Sequence, residues 1–203
     1  NYKLETDPTT GGTIVAEGTS ADSIVFESGQ PSPAPEDWQE IGLFTSDGSS
    51  FSYCVFRHAK QAVRASACSP SFEFCRFADS KIHIWCVDAD PSIRSCNISG
   101  WDFAGLFLTK GSAPTIRECN IVPGSTGRQG YSVYLNTYAP PTMVLIDAER
   151  NWWGTTVGSE IEDAIYHNPD DASLYGTVLY DPWLDDVPVE EQSWGAIKAL
   201  FRD

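Results

Sequence analysis

Four cysteines occupy the same place in four similar segments, and that repeat leaves the chain few folds to choose from. The segments are Phe51-Ser-Tyr-Cys54-Val-Phe56, Phe72-Glu-Phe-Cys75-Arg-Phe77, Ile93-Arg-Ser-Cys96-Asn-Ile98 and Ile116-Arg-Glu-Cys119-Asn-Ile121. The cysteines at 54, 75, 96 and 119 are separated by 21, 21 and 23 residues. A period in the low twenties, with one short strand-like core per unit, marks a solenoid. The first, fourth and sixth positions of each segment are apolar, and alternation over the last three is the period of a half-buried strand.

A longer frame surrounds the repeat. Pro70, Pro91 and Pro114 each stand five residues before their cysteine. A fourth copy is read from Pro141, with Met143, Ile146 and Ala148 at the matching offsets and Ile146 in the cysteine's place. Each unit also carries a second apolar stretch: Ala62 to Ala65, Ile82 to Cys86, Leu106 to Leu108 and Val133 to Leu135. Units of this length with two or three short strands and Gly, Pro or Asp corners are coils of a parallel β-helix, stacked at ~4.8 Å. Helical repeats need amphipathic runs of about ten residues or more, and none occurs between Gly11 and Gly154. Upstream, Gly12 to Thr19, Ser23 to Phe26 and Trp38 to Phe44 read as earlier coils. Gln30 to Pro35 and Pro123 to Gly130 read as loops leaving the solenoid.

The chain of 203 residues suits one domain. Its net charge of −15 argues against nucleic acid, which needs a basic face, and against anionic membrane surfaces. No apolar run approaches the ~20 residues of a membrane span. The chain opens at Asn1 directly into strand-like sequence, which fits a mature product after leader removal and equally a trimmed piece. An acidic solvated exterior explains the charge. Calcium is the sharper reading, through Asp88, Asp90 and Asp102 at corners and the pairs Asp170-Asp171 and Asp185-Asp186, although no segment has calcium-loop spacing. Cys54, Cys75, Cys96 and Cys119 are expected as a ladder of small buried thiols, because side-by-side Cβ vectors suit disulfide geometry poorly. A Cys68–Cys86 bridge is the alternative for the remaining two, and no paired Cys/His spacing suggests zinc.

Asn151-Trp-Trp-Gly154 is followed by Ile161 to His167, by Asn168-Pro-Asp-Asp171 and by Gly176 to Leu184, which ends in Pro182-Trp-Leu. This order resembles the end of right-handed parallel β-helix proteins of the pectin-lyase-like superfamily, and Gly18-Thr19, Ile24 to Ser28 and Trp38 resemble its first coils. The resemblance covers residues 11–184. It implies an all-β, right-handed single-stranded parallel β-helix of roughly six to eight coils with a short C-terminal helical cap. The corresponding boundaries are a β-helix with cap over residues 1–184 (coils to residue 154, cap 155–184) and a linker with a short helix over 185–203. Trp152, Trp153 and Trp183 are expected to close the open end, with Ile161 and Ile165 on one helical face. In the tail, Ser193 would cap a helix carrying Trp194, Ile197, Leu200 and Phe201.

The superfamily holds lyases, hydrolases, adhesins and inert scaffolds, so fold alone does not decide function. Galacturonan hydrolases of this group share Asn-Thr-Asp, Asp-Asp, Gly-His-Gly and Arg-Ile-Lys motifs, and that set is not assembled here. The weak catalytic candidates are Glu73, Arg76, Arg94, Arg117 and Glu118, which equally form an exposed ladder of ion pairs. Glu73 and Glu118 are too far apart for a retaining glycosidase pair. His58, His83 and His167 read as surface or corner residues. The best binding feature is on the second apolar stretch, where Arg64, Trp85, Phe107 and Tyr134 align outward. Such a strip suits sugar rings, or else it is covered by the loop at 30–35 or by another subunit. The expected function is a secreted or cell-surface, non-catalytic scaffold that binds extracellular polysaccharide or cell-surface glycan, or mediates surface assembly. The alternatives are a polysaccharide lyase or hydrolase with a non-standard site, and a subunit polymerising end to end.

Overall fold

The computed structural model describes residues 2–123, 130–139 and 141–187. A short strand β1 (Leu4–Glu5) is followed by five strand triplets. They are β2 (Val15–Glu17), β3 (Ile24–Phe26), β4 (Ile41–Phe44); β5 (Ser50–Ser52), β6 (Cys54–Arg57), β7 (Gln61–Ser66); β8 (Ser71–Glu73), β9 (Arg76–Ala78), β10 (Ser80–Val87); β11 (Ser92–Arg94), β12 (Asn97–Ser99), β13 (Trp101–Thr109); and β14 (Thr115–Arg117), β15 (Asn120–Val122), β16 (Tyr131–Asn136). The chain then forms β17 (Val144–Asp147), a helix α1 (Gly158–Asp163), β18 (Ile165–Tyr166) and β19 (Gly176–Leu179).

Each triplet gives one strand to each of three sheets. The first sheet runs β2-β5-β8-β11-β14-β17-β19, the second β3-β6-β9-β12-β15, and the third β1-β4-β7-β10-β13-β16-β18. Every pairing between named strands is parallel. The protein is all-β, and its three parallel sheets are consistent with a β-helix solenoid. The three upstream stretches expected as separate coils are instead the three strands of one triplet.

The repeated segment spans a corner, not one strand. Its first residue (Phe51, Phe72, Ile93, Ile116) belongs to the first sheet and its sixth (Phe56, Phe77, Ile98, Ile121) to the second. Between them Tyr53, Phe74, Ser95 and Glu118 have φ of 49°, 52°, 50° and 57°. One left-handed residue per coil turns the chain here and lets both flanking apolar residues point inward. The inward rings stack along the solenoid. Phe26, Phe56 and Phe77 lie 5.1 and 4.7 Å apart with planes 8° apart, and Phe51 lies 5.2 Å from Phe72.

All six cysteines are buried free thiols. In the ladder each Sγ lies over two carbonyls, one in its own turn and one in the preceding coil. Cys75 approaches Glu73 O and Phe51 O, both at 3.4 Å, and Cys96 approaches Arg94 O at 3.1 Å and Phe72 O at 3.7 Å. The next rung is Asn151 and not Ile146. Thr115 pairs with Asp147 and Asn120 with Trp152, which sets Cys119 beside Asn151. The Cys119 N–H donates to Asn151 Oδ1 at 2.8 Å, and Asn151 Nδ2 donates to Ile116 O and Ala148 O at 2.8 and 2.7 Å. The spacing from Pro141 misplaced this rung by five residues, because the connection before it is longer than in the other units.

At the C-terminal end Trp153, Ile161 and Ile165 are buried and Trp183 sits against Gly158. Ile165 lies in β18, since the helix stops at Asp163, so the two isoleucines close the core from different elements. Residues 188–203, with the expected tail helix, and most of the loop from Pro123 to Gly130 lie outside the described residues.

Candidate binding face

The third sheet positions the outward aromatic residues by register alone. Trp85 pairs with Arg64 on one side and Phe107 on the other, Phe107 with Tyr134, and Tyr134 with Tyr166. These residues are half-buried, while the flanking columns Val63, Ile84, Leu106, Val133 and Ala65, Cys86, Leu108, Leu135 are buried. Parallel in-register pairing converts a 21–32-residue sequence interval into one strand spacing. Ring centroids follow at 5.5 Å for Trp85–Phe107, 5.6 Å for Phe107–Tyr134 and 4.8 Å for Tyr134–Tyr166.

The expected four residues are therefore together, and the face is wider than the repeat suggested. Phe103 packs against Phe107 and Tyr134, and Tyr131 against Tyr134 and Tyr166. Phe103 escapes the alignment because an irregularity in register between Ser80 and Ile82 leaves an extra residue in β13. Tyr166 belongs to a two-residue strand beyond the last recognisable unit. At the other end the Arg64 guanidinium carbon lies 4.8 Å from the Trp85 ring centroid and 5.5 Å from that of Phe44. Arg64 Nε is buried without a hydrogen-bond partner. Burial pushes the Glu40 carboxyl above the ordinary range, while the Arg64 and Lys3 charges pull it back.

Ring orientation matters for what the face can hold. Tyr134 and Tyr166 are stacked with planes 11° apart, so each covers a face of the other and edges point outward. Trp85 has one face beneath Arg64, and Trp85, Phe107 and Tyr134 are mutually tilted by 37° and 52°. The loop at 30–35 is tied at its C-terminal side to its own base and to β10 of the third sheet. Asp37 accepts from Ser28 and Ala34, and Glu36 pairs with Lys81 at 3.1 Å.

The charged candidates do not form one group. Glu73, Arg94 and Arg117 are in register on the first sheet, whereas Arg76 lies in the second, where burial pushes its guanidinium below its ordinary value. Glu118 occupies the left-handed corner. Arg117 is taken by Asp147 at 2.6 Å and Glu149 at 3.1 Å, and Arg94 approaches Glu118 only to 4.0 Å. Such half-exposed pairs are worth about 0–1 kcal/mol each. Glu118 also borders a cleft of about 470 Å³ with Ser95, Arg150, Leu184, Asp185 and Asp186. Among the described residues no three His, Cys, Asp or Glu side chains are arranged to hold a metal. Asp90 and Asp171 instead bond turn groups, accepting from Ala113 N and Ser173 N.

Two histidines are not at the surface. His83 is fully buried against the Phe77 and Trp101 rings, with Nε2 2.8 Å from Ser99 O and Nδ1 without a partner. His167 is buried too, and its Nδ1 accepts from Val178 N at 3.0 Å while Nε2 meets Glu162 at 3.1 Å. His58 sits at a left-handed corner as expected, and burial and then Arg57 push its imidazole below the ordinary value.

Comparison of the chain with family models, with curated proteins and with solved structures gives no match.

Proposed function

We propose that the protein is a secreted or cell-surface scaffold that binds extracellular glycan without catalysis, through the aromatic side of its third sheet. One observation carries this reading: Arg64, Trp85, Phe107, Tyr134 and Tyr166 form a continuous outward column, widened by Phe103 and Tyr131. Aromatic and arginine side chains in one half-exposed cluster have the composition of a binding hot spot. Because several ring faces are used between rungs, a saccharide on this column meets ring edges, phenol hydroxyls and the Arg64 fork more than flat platforms.

The finer fold belongs to the same proposal: a right-handed coil, six to eight turns counting partial ones, and kinship with the pectin-lyase-like superfamily. Right-handedness follows from the strong preference of parallel crossovers. The kinship rests on the closing Asn151-Trp-Trp-Gly154 and Pro182-Trp-Leu184 stretches. Catalysis by Glu73, Arg76, Arg94, Arg117 and Glu118 is disfavoured, because they divide between two sheets and a corner. Among the described residues no ligand set is assembled to recommend calcium.

A pull-down on a panel of insoluble and immobilised glycans tests the reading. Trp85→Ala combined with Tyr134→Ala should lower retention about tenfold or more, the loss of at least ~1.4 kcal/mol. Unchanged retention on every bound glycan rejects the column as the site. Release of reducing ends or of unsaturated sugars from the same panel would replace the scaffold by an enzyme.

A further inference from the structure

The aromatic column ends differently on its two sides. Toward β4 it ends in a cation of the chain's own. The Arg64 guanidinium carbon lies 4.8 Å from the Trp85 ring centroid and 5.5 Å from that of Phe44. Both distances fall within the ~6 Å at which a ring attracts a positive charge. Toward β18 the column ends in Tyr166, whose ring meets Tyr134 at 4.8 Å and Tyr131 at 5.4 Å. β18 is the last strand of this sheet, so no further side chain follows Tyr166 in register.

An acidic turn follows Tyr166 directly. The Asp170 carboxylate accepts from His167 N, the amide next to Tyr166, at 3.0 Å. Asp171 accepts from Ser173 N at 2.9 Å and from Ser173 Oγ at 2.7 Å. The Ser173 bonds hold the Asp171 carboxyl below its ordinary value, so it carries its charge. Partial burial and then the charge of Asp171 push the Tyr166 phenol above its ordinary value, with Asp170 adding to them. Among the described residues neither aspartate is in an ion pair. Arg64 is four strand spacings from Tyr166, ~19 Å, which is beyond a Debye length of ~8 Å and leaves its charge screened there.

We propose that the column takes a glycan with free amino groups, held by an ammonium placed between the Tyr166 ring and the carboxylates of Asp170 and Asp171. This rests on the reading of the column as a glycan site and adds the charge of the sugar. Charge complementarity carries it. The ligand's ammonium repeats at Tyr166 what the Arg64 guanidinium does at Trp85, with two unpaired carboxylates beside it. The net charge of −15 draws such a polycation toward the molecule and repels a polymer of uronic acids. Acetylation of the amine keeps the sugar ring and removes the charge, so chitosan and chitin differ in the one group that matters here.

Retention of the full chain on chitosan and chitin beads, at a pH where the chitosan amines are protonated, tests this. Chitosan should hold the protein about tenfold more tightly than chitin, and added salt should narrow the difference. Asp170→Asn with Asp171→Asn keeps the acceptor oxygens for His167 N and Ser173 N and should lower chitosan affinity about tenfold. Glu17→Gln with Asp22→Asn makes the same change in net charge at two exposed positions, on β2 and in the turn after it, and should leave chitosan affinity unchanged. Equal retention on the two polymers overturns the inference, and so does an equal loss from both charge-matched pairs, which would mean attraction by bulk charge. In either case the glycan reading stands or falls separately, on whether Trp85→Ala with Tyr134→Ala still lowers retention. Chitosan binding that this aromatic variant leaves intact overturns both.

Discussion

At the scale of single residues, His83 shows what a fully buried imidazole does to stability. With no acid beside it, burial depresses its pKa from 6.5 to about 4, and the bond to Ser99 O offsets only part of this. The folded state therefore binds fewer protons than the unfolded one between these values. The stability contributed by neutral His83 is complete above pH 6.5 and is lost progressively as pH falls toward about 4. A separation of 6.5 − 4, at ~1.36 kcal/mol for each pH unit, makes the loss about 3 kcal/mol. His83→Gln keeps an amide donor for Ser99 O and cannot titrate. Urea unfolding across this window should show a flatter acid limb in the variant, and parallel limbs would refute the assignment. His83 was invisible in the sequence because its strand, Ile82-His-Ile-Trp, reads as ordinary alternation that places it outward.

At the scale of elements, the ladder joins sulfur and amide chemistry in one column. Cys96 N–H meets Cys119 Sγ at 3.5 Å, and Cys119 N–H meets Asn151 Oδ1 at 2.8 Å, so the thiol is a weak stand-in for the amide in the same role. Burial and the neighbouring thiols hold the Cys96 thiol above its ordinary value and keep it protonated as a donor. Asn151→Ala strands a buried N–H and two carbonyls and should lower unfolding free energy by roughly 2 kcal/mol or more. Asn151→Cys, which extends the thiol column, should recover part of that loss. Equal destabilisation by both variants would count against the equivalence. The repeat was legible because cysteine and phenylalanine recur in phase. The corner within it was not, since Tyr53, Phe74, Ser95 and Glu118 share a left-handed backbone without sharing a residue type or a glycine.

At the scale of the whole molecule, the parallel stacking and the aromatic column were readable from spacing, because in-register strands preserve sequence offsets in space. The gathering of Phe103, Tyr131 and Tyr166 was not, because it depends on an extra residue in β13 and on a strand beyond the repeat. The closed end makes its own prediction. His167→Ala removes the acceptor of Val178 N–H and the link to Glu162, and should cost about 1–3 kcal/mol. It also frees the edge of β19, so sedimentation velocity should reveal more self-association in the variant than in the parent chain. An unchanged size distribution would mean that the helix and Trp153 close this end without the histidine.

The left-handed corners have a broader consequence. Because the turning residue is Tyr, Phe, Ser or Glu in different coils, the left-handed corner is set by the backbone and not by one residue type. A gene can therefore lengthen or shorten such a protein by whole turns, or hang a new loop from any vertex, while every other rung keeps its place. The length of the solenoid is set by how many copies of one unit the chain repeats.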